Sequence, residues 1–287
     1  HRDARFHNQG RVTLAQFTEL RNHGTLHTYS GSTLNNPENA SYVHNGGTIE
    51  HRGIITSYLS IQNEISGNEG VINKHCGSVI TVIYGSVQGG TVNNLCVGTV
   101  VVEKTAIGGD DTFSYNASGV GTASFDIETS GGSGSRTFAN LAARTIKTIE
   151  ESGPPSHWYL TNLHCTSTGS TSVITITGAR AEIYLAEGET VTCEYVNTKE
   201  GRVVVQKEMV GGTGTFYFDG TPAGTIFADG GTESAWVAPG QYTTTEGSPP
   251  AGWKLTDITC TDTESTVNLA QRSATFDVDP GEVLTCT

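Results

Sequence analysis

The strongest constraint in this sequence is an internal duplication. Thr99-Val100-Val101-Val102-Glu103-Lys104 recurs as Arg202-Val203-Val204-Val205-Gln206-Lys207. Phe113 and Phe216 follow the two lysines at equal distance, each preceded by a threonine. Thr145–Glu150 aligns with Gln241–Glu246, and both lead into Pro-Pro (Pro154-Pro155, Pro249-Pro250). Trp158 stands before Cys165 at the same spacing as Trp253 before Cys260. Each copy closes on Gly-Glu-x-x-Thr-Cys, at Gly188–Cys193 and Gly281–Cys286. So many coincident landmarks at near-constant spacing indicate two copies of one structural unit.

Within each copy, short β-branched runs such as Ser172–Thr177 and Ala181–Leu185 alternate between apolar and polar residues, with Gly or Asp between them. This period of two is a strand signal. A unit of this length with roughly seven such strands fits an antiparallel β-sandwich. In the first strand Val100, Val102 and Lys104 share one face, and Val101 and Glu103 the other.

Residues before Cys96 have another rhythm. A Gly, a small residue and an aliphatic recur at Gly24-Thr25-Leu26, Gly47-Thr48-Ile49, Gly53-Ile54-Ile55, Gly70-Val71-Ile72, Gly77-Ser78-Val79 and Gly90-Thr91-Val92. Asn22, Asn45, Asn68 and Asn93 punctuate them. Gly and Asn tolerate the positive φ of tight corners. Very short strands between such corners predict a β-solenoid with inward aliphatic ladders. Val12–Leu20 fits either a capping helix or a first strand. The expected organisation is all-β: an N-terminal extension or cap over 1–20, a β-solenoid over 21–97, and sandwiches over 98–199 and 200–287.

Charge and composition exclude several roles. A net charge of −13 lacks the basic footprint that nucleic acid requires. No run of about 18 apolar residues is present, so no membrane-spanning helix is expected. His1 in place of an initiator Met, and few Lys beside abundant Thr, Ser, Asn and Gly, read as an exported chain whose targeting segment has been removed.

The duplicated landmarks resemble the prealbumin-like (Cna B-type) domains of bacterial surface adhesins and pilus proteins. The residues that carry the likeness are Val-Val-Val-x-Lys at each opening, Thr243-Thr244-Thr245-Glu246 through Pro249-Pro250 to Gly252-Trp253, and Gly188-Glu189 through Cys193 to Asn197. The first copy departs at Arg144, where a turn Gly is usual, and at Ser156-His157, where Gly precedes the Trp. The region before Cys96 is similar, more loosely, to Asn/Gly-rich solenoids of exported microbial proteins. The resemblance implies a cell-surface, structural or adhesive role and no enzymatic one.

Six cysteines allow fifteen connectivities. Cys165 and Cys193 occupy the positions of Cys260 and Cys286 in the other copy, so each pair is expected to bridge neighbouring strands within its own unit. Cys76 is left with Cys96. Disulfides of this kind imply an oxidising location. With no C-x-x-C, neither a redox nor a zinc-ribbon motif is supported.

In some relatives a first-strand Lys is joined to a last-strand Asn with help from an acidic side chain. The resemblance maps this candidate isopeptide onto Lys104, Asn197 and Glu150. The chemistry needs burial, because desolvation favours the neutral amine that attacks. The same residues also fit an ordinary strand-end lysine reaching solvent, with Asn197 in a turn. The second copy has Lys207 and Glu246.

Other constellations are weaker. His23, His27, His44, His51 and His75 could line one solenoid face, but their irregular spacing reads as exposed corner residues, and no metal or cofactor is expected. Asp110-Asp111 and Asp277-Val278-Asp279 lack calcium-loop spacing. Asn39 and Asn116 head Asn-x-Ser sequons, relevant where the host glycosylates exported proteins. No nucleophile elbow is present. Three roles follow. The leading one is an extracellular filament or adhesin subunit that assembles with copies of itself, with residues 1–10 as an available donor strand or linker. The second is a monomeric adhesin for surface glycans or cell-wall components, using Tyr29, Tyr42, Tyr58 and Tyr84. The third, and weakest, is a polysaccharide-degrading β-helix enzyme, for which no acid/base pair can be found.

Overall fold

A computed structural model describes residues 96–287 throughout, and before them the strands named here, the short antiparallel pair Glu64–Ile65 and Asn68–Glu69, and Cys76. The fold is all-β, and no helix occurs among the described residues.

In the N-terminal region the strands stack in parallel ladders. Arg5–Asn8, Thr25–Thr28, Thr48–His51, Val71–Lys74 and Thr91–Asn94 form one five-stranded sheet in that order. Arg5, Thr25, Thr48, Val71 and Thr91 occupy one register position. Two further parallel sheets run through Arg11–Thr13, Thr33–Asn36, Ile54–Ser57 and Val79–Val82, and through Leu20–Asn22, Val43–Asn45, Ile61–Gln62 and Val87–Gln88. The aliphatic residue that ends each triad quoted above lies in one of these strands. Of the stretch 12–20, residues 12–13 and 20 are strand, and 14–19 lie outside the described residues. Lys74 stands opposite Asn94, so Cys76 and Cys96 follow neighbouring strands at the same distance. They are joined, with S–S 2.10 Å.

The first repeat contains nine strands. We label them β1 (Val97–Ile107), β2 (Thr112–Ser118), β3 (Ser124–Glu128), β4 (Ser133–Ala142), β5 (Thr145–Glu151), β6 (Trp158–Ser167), β7 (Val173–Thr177), β8 (Arg180–Leu185) and β9 (Thr190–Lys199). They form two sheets, ordered β4-β1-β9-β6 and β3-β2-β5-β8-β7. β1 and β9 are parallel neighbours, and the remaining pairs are antiparallel. The inward residues of both sheets meet in one core: Val100, Val102, Phe113, Tyr115, Ile149, Ile183, Val191 and Tyr195 are fully buried. Trp158 closes one end, edge-on to Phe113 at 5.3 Å.

The second repeat follows after one residue, Glu200. Its strands are β10 (Gly201–Lys207), β11 (Phe216–Gly220), β12 (Gly224–Ile226), β13 (Gly231–Val237), β14 (Gly240–Glu246), β15 (Thr266–Asn268), β16 (Ser273–Val278) and β17 (Val283–Cys286). The sheets are β13-β10-β17 and β12-β11-β14-β16-β15. Phe216 and Trp253 repeat the edge-on contact at 5.4 Å. The duplicated Phe and Trp landmarks thus mark the same core corner twice.

The turn before each tryptophan shows what the first copy's departure from glycine means. Trp158 N–H donates to Pro155 O and Trp253 N–H to Pro250 O, both at 3.0 Å. The third residue of this turn has positive φ: Gly252 at 87° and His157 at 66°. Such a turn favours Gly at that position, so His157 holds a strained conformation costing about 1–3 kcal/mol. Its imidazole stacks on Trp236 of the second repeat, with centroids 3.8 Å apart, and its Nδ1 lies 3.0 Å from Glu200. Arg144, the other departure, also has positive φ, 58°.

The repeats also touch where no side chain would fit. A Cβ on Gly281 would lie 2.0 Å from the Gly108 carbonyl oxygen, and one on Gly108 would lie 2.7 Å from Pro280. Gly281 N–H reaches Lys199 O at 3.3 Å.

Candidate functional site

Three polar side chains lie in the core of the first repeat. Lys104 is 1% exposed, Glu151 5% and Asn197 0%. Strand alternation puts them there. β1 buries Val100, Val102, Lys104 and Ala106, and β9 buries Val191, Cys193, Tyr195 and Asn197. Lys104 pairs with Tyr195 across this parallel ladder, one step before Ala106 with Asn197 on the same face.

The three side chains form a closed ring. Lys104 Nζ donates to Asn197 Oδ1 and to Glu151 Oε1 at 3.1 Å. Asn197 Nδ2 donates to Glu151 Oε2 at 3.0 Å. A further contact runs from Lys104 Nζ to Tyr195 O at 3.4 Å, and the ammonium lies 4.1 Å from the Phe113 ring centroid. Burial pushes the Lys104 amine down from 10.5 to about 8, while the Glu151 carboxylate pulls it the other way. A neutral amine is therefore accessible near physiological pH.

The acid in this ring is Glu151, not Glu150. Adjacent strand residues face opposite ways, and β5 buries Lys147, Ile149 and Glu151 while Glu150 is exposed. Counting back from Pro-Pro gives the right residue: Glu151 and Glu246 each stand three before the first Pro. The tandem Glu150-Glu151 hides this when the strand is aligned by its threonines.

The second repeat holds two of the three groups. Lys207 Nζ donates to Glu246 Oε2 at 2.9 Å, and Phe216 lies under the ammonium at 4.6 Å. Glu246 Oε1 is buried without a hydrogen-bond partner, whereas the matching Glu151 oxygen accepts the Asn197 amide. Beside it is a cavity of about 410 Å³, lined by Val205, Lys207, Glu246, Trp253, Leu255 and Ile258 among others.

Cys165 faces Cys193 across β6 and β9 and is bonded to it (S–S 2.05 Å). Cys260 and Cys286 are likewise joined across a β-bridge (S–S 2.02 Å). Asn116 is exposed on β2. Asn39 lies outside the described residues, as do Tyr29, Tyr42, Tyr58, Tyr84 and the side chains of the five N-terminal histidines. Among the described residues no group of three His, Cys, Asp or Glu is placed to hold a metal. Asp110 instead accepts the Gly131 and Gly132 N–H groups, and Asp111 accepts the Trp158 indole N–H at 3.0 Å, so both work within the fold.

Residues 100–199 and 203–287 each match the model of a family described as a prealbumin-like fold domain, and the chain belongs to that family. Among solved structures, it is similar to the Bacillus anthracis TIE protein (17% identity, TM-score 0.29), with 68% of this chain and 34% of that one covered. It therefore spans about a third of that protein. A major pilin of Streptococcus pyogenes aligns at 10% identity and TM-score 0.27, covering 68% and 97% of the two chains. The shaft pilin SpaA of Lactobacillus rhamnosus GG aligns at 10% and 0.24, covering 66% and 97%. At such TM-scores these likenesses carry no argument about function. A search of the curated proteins finds no match.

Proposed function

We propose that this chain is an extracellular structural subunit of a cell-surface filament or adhesin, held together by its disulfides and by an amide bond between Lys104 and Asn197. The buried Lys104–Glu151–Asn197 ring is the observation that carries this reading. A lysine and a carboxylate buried together add little stability against apolar substitutes, but their contacts suit bond formation. The neutral Nζ attacks Asn197 Cγ, Glu151 takes the amine's proton and delivers it to Nδ2, and ammonia leaves. Glu151 already touches both nitrogens, so no regrouping is needed. Such a covalent tie serves a protein that must survive outside the cell, and three disulfides point to the same oxidising setting. The intact mass of the purified chain tests it. A mass lower than the sequence by one ammonia, beyond the disulfide hydrogens, supports the bond; a full mass rejects it.

The parallel ladders before Cys96 support a β-solenoid over 21–97, ahead of sandwiches at 98–199 and 200–287. The subunits assemble with copies of themselves, head to tail and by strand exchange. A contact between two different surfaces of one protein builds filaments. Electron microscopy of native material and light scattering at high concentration test this part. A strictly monomeric protein, unchanged by removal of residues 1–20, rejects it.

A further inference from the structure

We infer that β7 of the first repeat is a self-pairing edge: it binds β7 of a second copy antiparallel, about a two-fold axis at Thr175, and joins two chains side by side. This contact is independent of the head-to-tail assembly proposed above.

β7 ends its sheet. It pairs with β8 on one side, and among the described residues nothing pairs with the other. Such an edge accepts another strand unless charge, proline, a bulge or brevity blunts it. β7 has none of these. Its five residues, Val173-Ile174-Thr175-Ile176-Thr177, are all β-branched, and no Asp, Glu, Lys, Arg or Pro stands between His164 and Arg180. Its ladder with β8 runs without a register shift from Val173–Tyr184 to Thr177–Arg180. In a chain of net charge −13, a neutral stretch is where a second copy can approach without repulsion. The matching edge of the second repeat is blunted. β15 has three residues, Asp262 and Glu264 precede it, and Asn268 and Gln271 close it with two mutual hydrogen bonds.

The strand is also its own complement. Ile174 and Ile176 stand opposite Ile183 and Ala181, which are fully buried, so they share the inner face. Ile174 packs on the core, but Ile176 is 42% exposed. A two-fold axis at Thr175 pairs all five residues. It sets Ile174 of each copy against Ile176 of the other, which covers the exposed isoleucine twice. On the outer face Val173 meets Thr177 of the second copy and extends the exposed row Ile146–Tyr184–Val173. A slip of one residue would set inner side chains against outer ones. The nearest charges, Arg180 and Glu182, already pair within each copy at 3.1 Å. A contact of one surface with itself closes on two copies. It makes a dimer, or couples two filaments, and cannot build a filament alone.

Sedimentation velocity of the full chain over a concentration series tests it. A five-residue ladder is a small interface, so a dimer that dissociates on dilution is expected. Thr175→Lys sets like charges against each other at the axis and should weaken the dimer about 10-fold or more. Thr175→Glu should do the same, and an equal mixture of the two variants should pair again, which a misfolded variant could not. Register is read by cross-linking. All six cysteines are in disulfides, so an introduced thiol finds its partner only in another copy. Thr175→Cys should link two chains, and Thr177→Cys, opposite Val173, should not. A monomer throughout the series, association indifferent to Thr175→Lys, or equal cross-linking at both positions overturns the inference. A chain that dimerises through β7 and never polymerises upholds it and rejects the filament reading. Filaments from a chain that shows no Thr175→Cys cross-link overturn it and leave that reading standing.

Discussion

Replacing Glu151 by Gln should separate the chemistry of the first repeat from its packing. The carboxylate lies 3.1 Å from Lys104 Nζ and 3.0 Å from Asn197 Nδ2, and all three groups are buried. Gln keeps the shape but removes the charge that balances the ammonium and the oxygen that relays its proton. In the unlinked Asn197→Ala background, where the ammonium persists, breaking this buried ion pair costs about 3–5 kcal/mol, and a unit of this size loses roughly 12 °C or more in Tm for that amount. Glu150→Gln, on the exposed face of the same strand, should change stability by less than about 0.5 kcal/mol. Mass spectrometry under identical handling then reads the chemistry: wild type and Glu150→Gln lighter by one ammonia, Glu151→Gln at full mass. A linked Glu151→Gln protein, or an unlinked Glu150→Gln protein, would refute the assignment. The pH dependence has a definite sign. In Asn197→Ala, where the amine stays free, the folded amine titrates near 8 and the unfolded one near 10.5. Between those values the unfolded chain binds more protons, so stability rises with pH across that window, by roughly 3 kcal/mol at most. A flat profile there would mean that Lys104 is not desolvated.

Three further outcomes follow from the joint and the staples. His157→Gly should stabilise the isolated first repeat by about 1 kcal/mol by relieving positive φ, but not the two-repeat chain, where the Trp236 stack is lost; paired urea titrations check the difference. Gly281→Ala would place a methyl 2.0 Å from the Gly108 carbonyl, so the repeats should tumble more independently, as NMR relaxation reads. Reducing Cys165–Cys193, which spans 28 residues, should cost about 3 kcal/mol in denaturant unfolding; no loss would mean the link is redundant.

Much of the fold is legible in the sequence because local signals agree there. The Val-Val-Val-x-Lys openings, the Phe and Trp pairs and the closing Cys positions each correspond to a shared place in the two sandwiches. The aliphatic residues of the Gly-headed triads, Leu26, Ile49, Ile55, Ile72, Val79 and Val92, all lie in strands of the parallel ladders. Two things are harder to read. Glu150 and Glu151 differ by one residue, and nothing short of strand register says which faces inward. His157 looks like a lapse from a glycine pattern, yet it lies against a residue 79 positions away, Trp236. Long-range contacts of that kind leave no local periodicity.

The parallel pairing of β1 with β9 has a consequence for how the chain bears load. Force pulling the repeat by its two ends enters at Val97 and leaves at Lys199, along neighbouring strands in opposite senses. The ladder from Thr99–Thr190 to Ile107–Thr198 is then sheared along its length, so its hydrogen bonds resist together instead of opening one by one. With Lys104 tied to Asn197, tension would bypass the chain between them, which spans 93 positions. A pulled chain that lengthens by that whole span would contradict the tie. The second repeat begins and ends on the same arrangement, β10 beside β17, and only Glu200 separates the two clamps. The pair is wired in series, like links whose pins already lie along the line of pull.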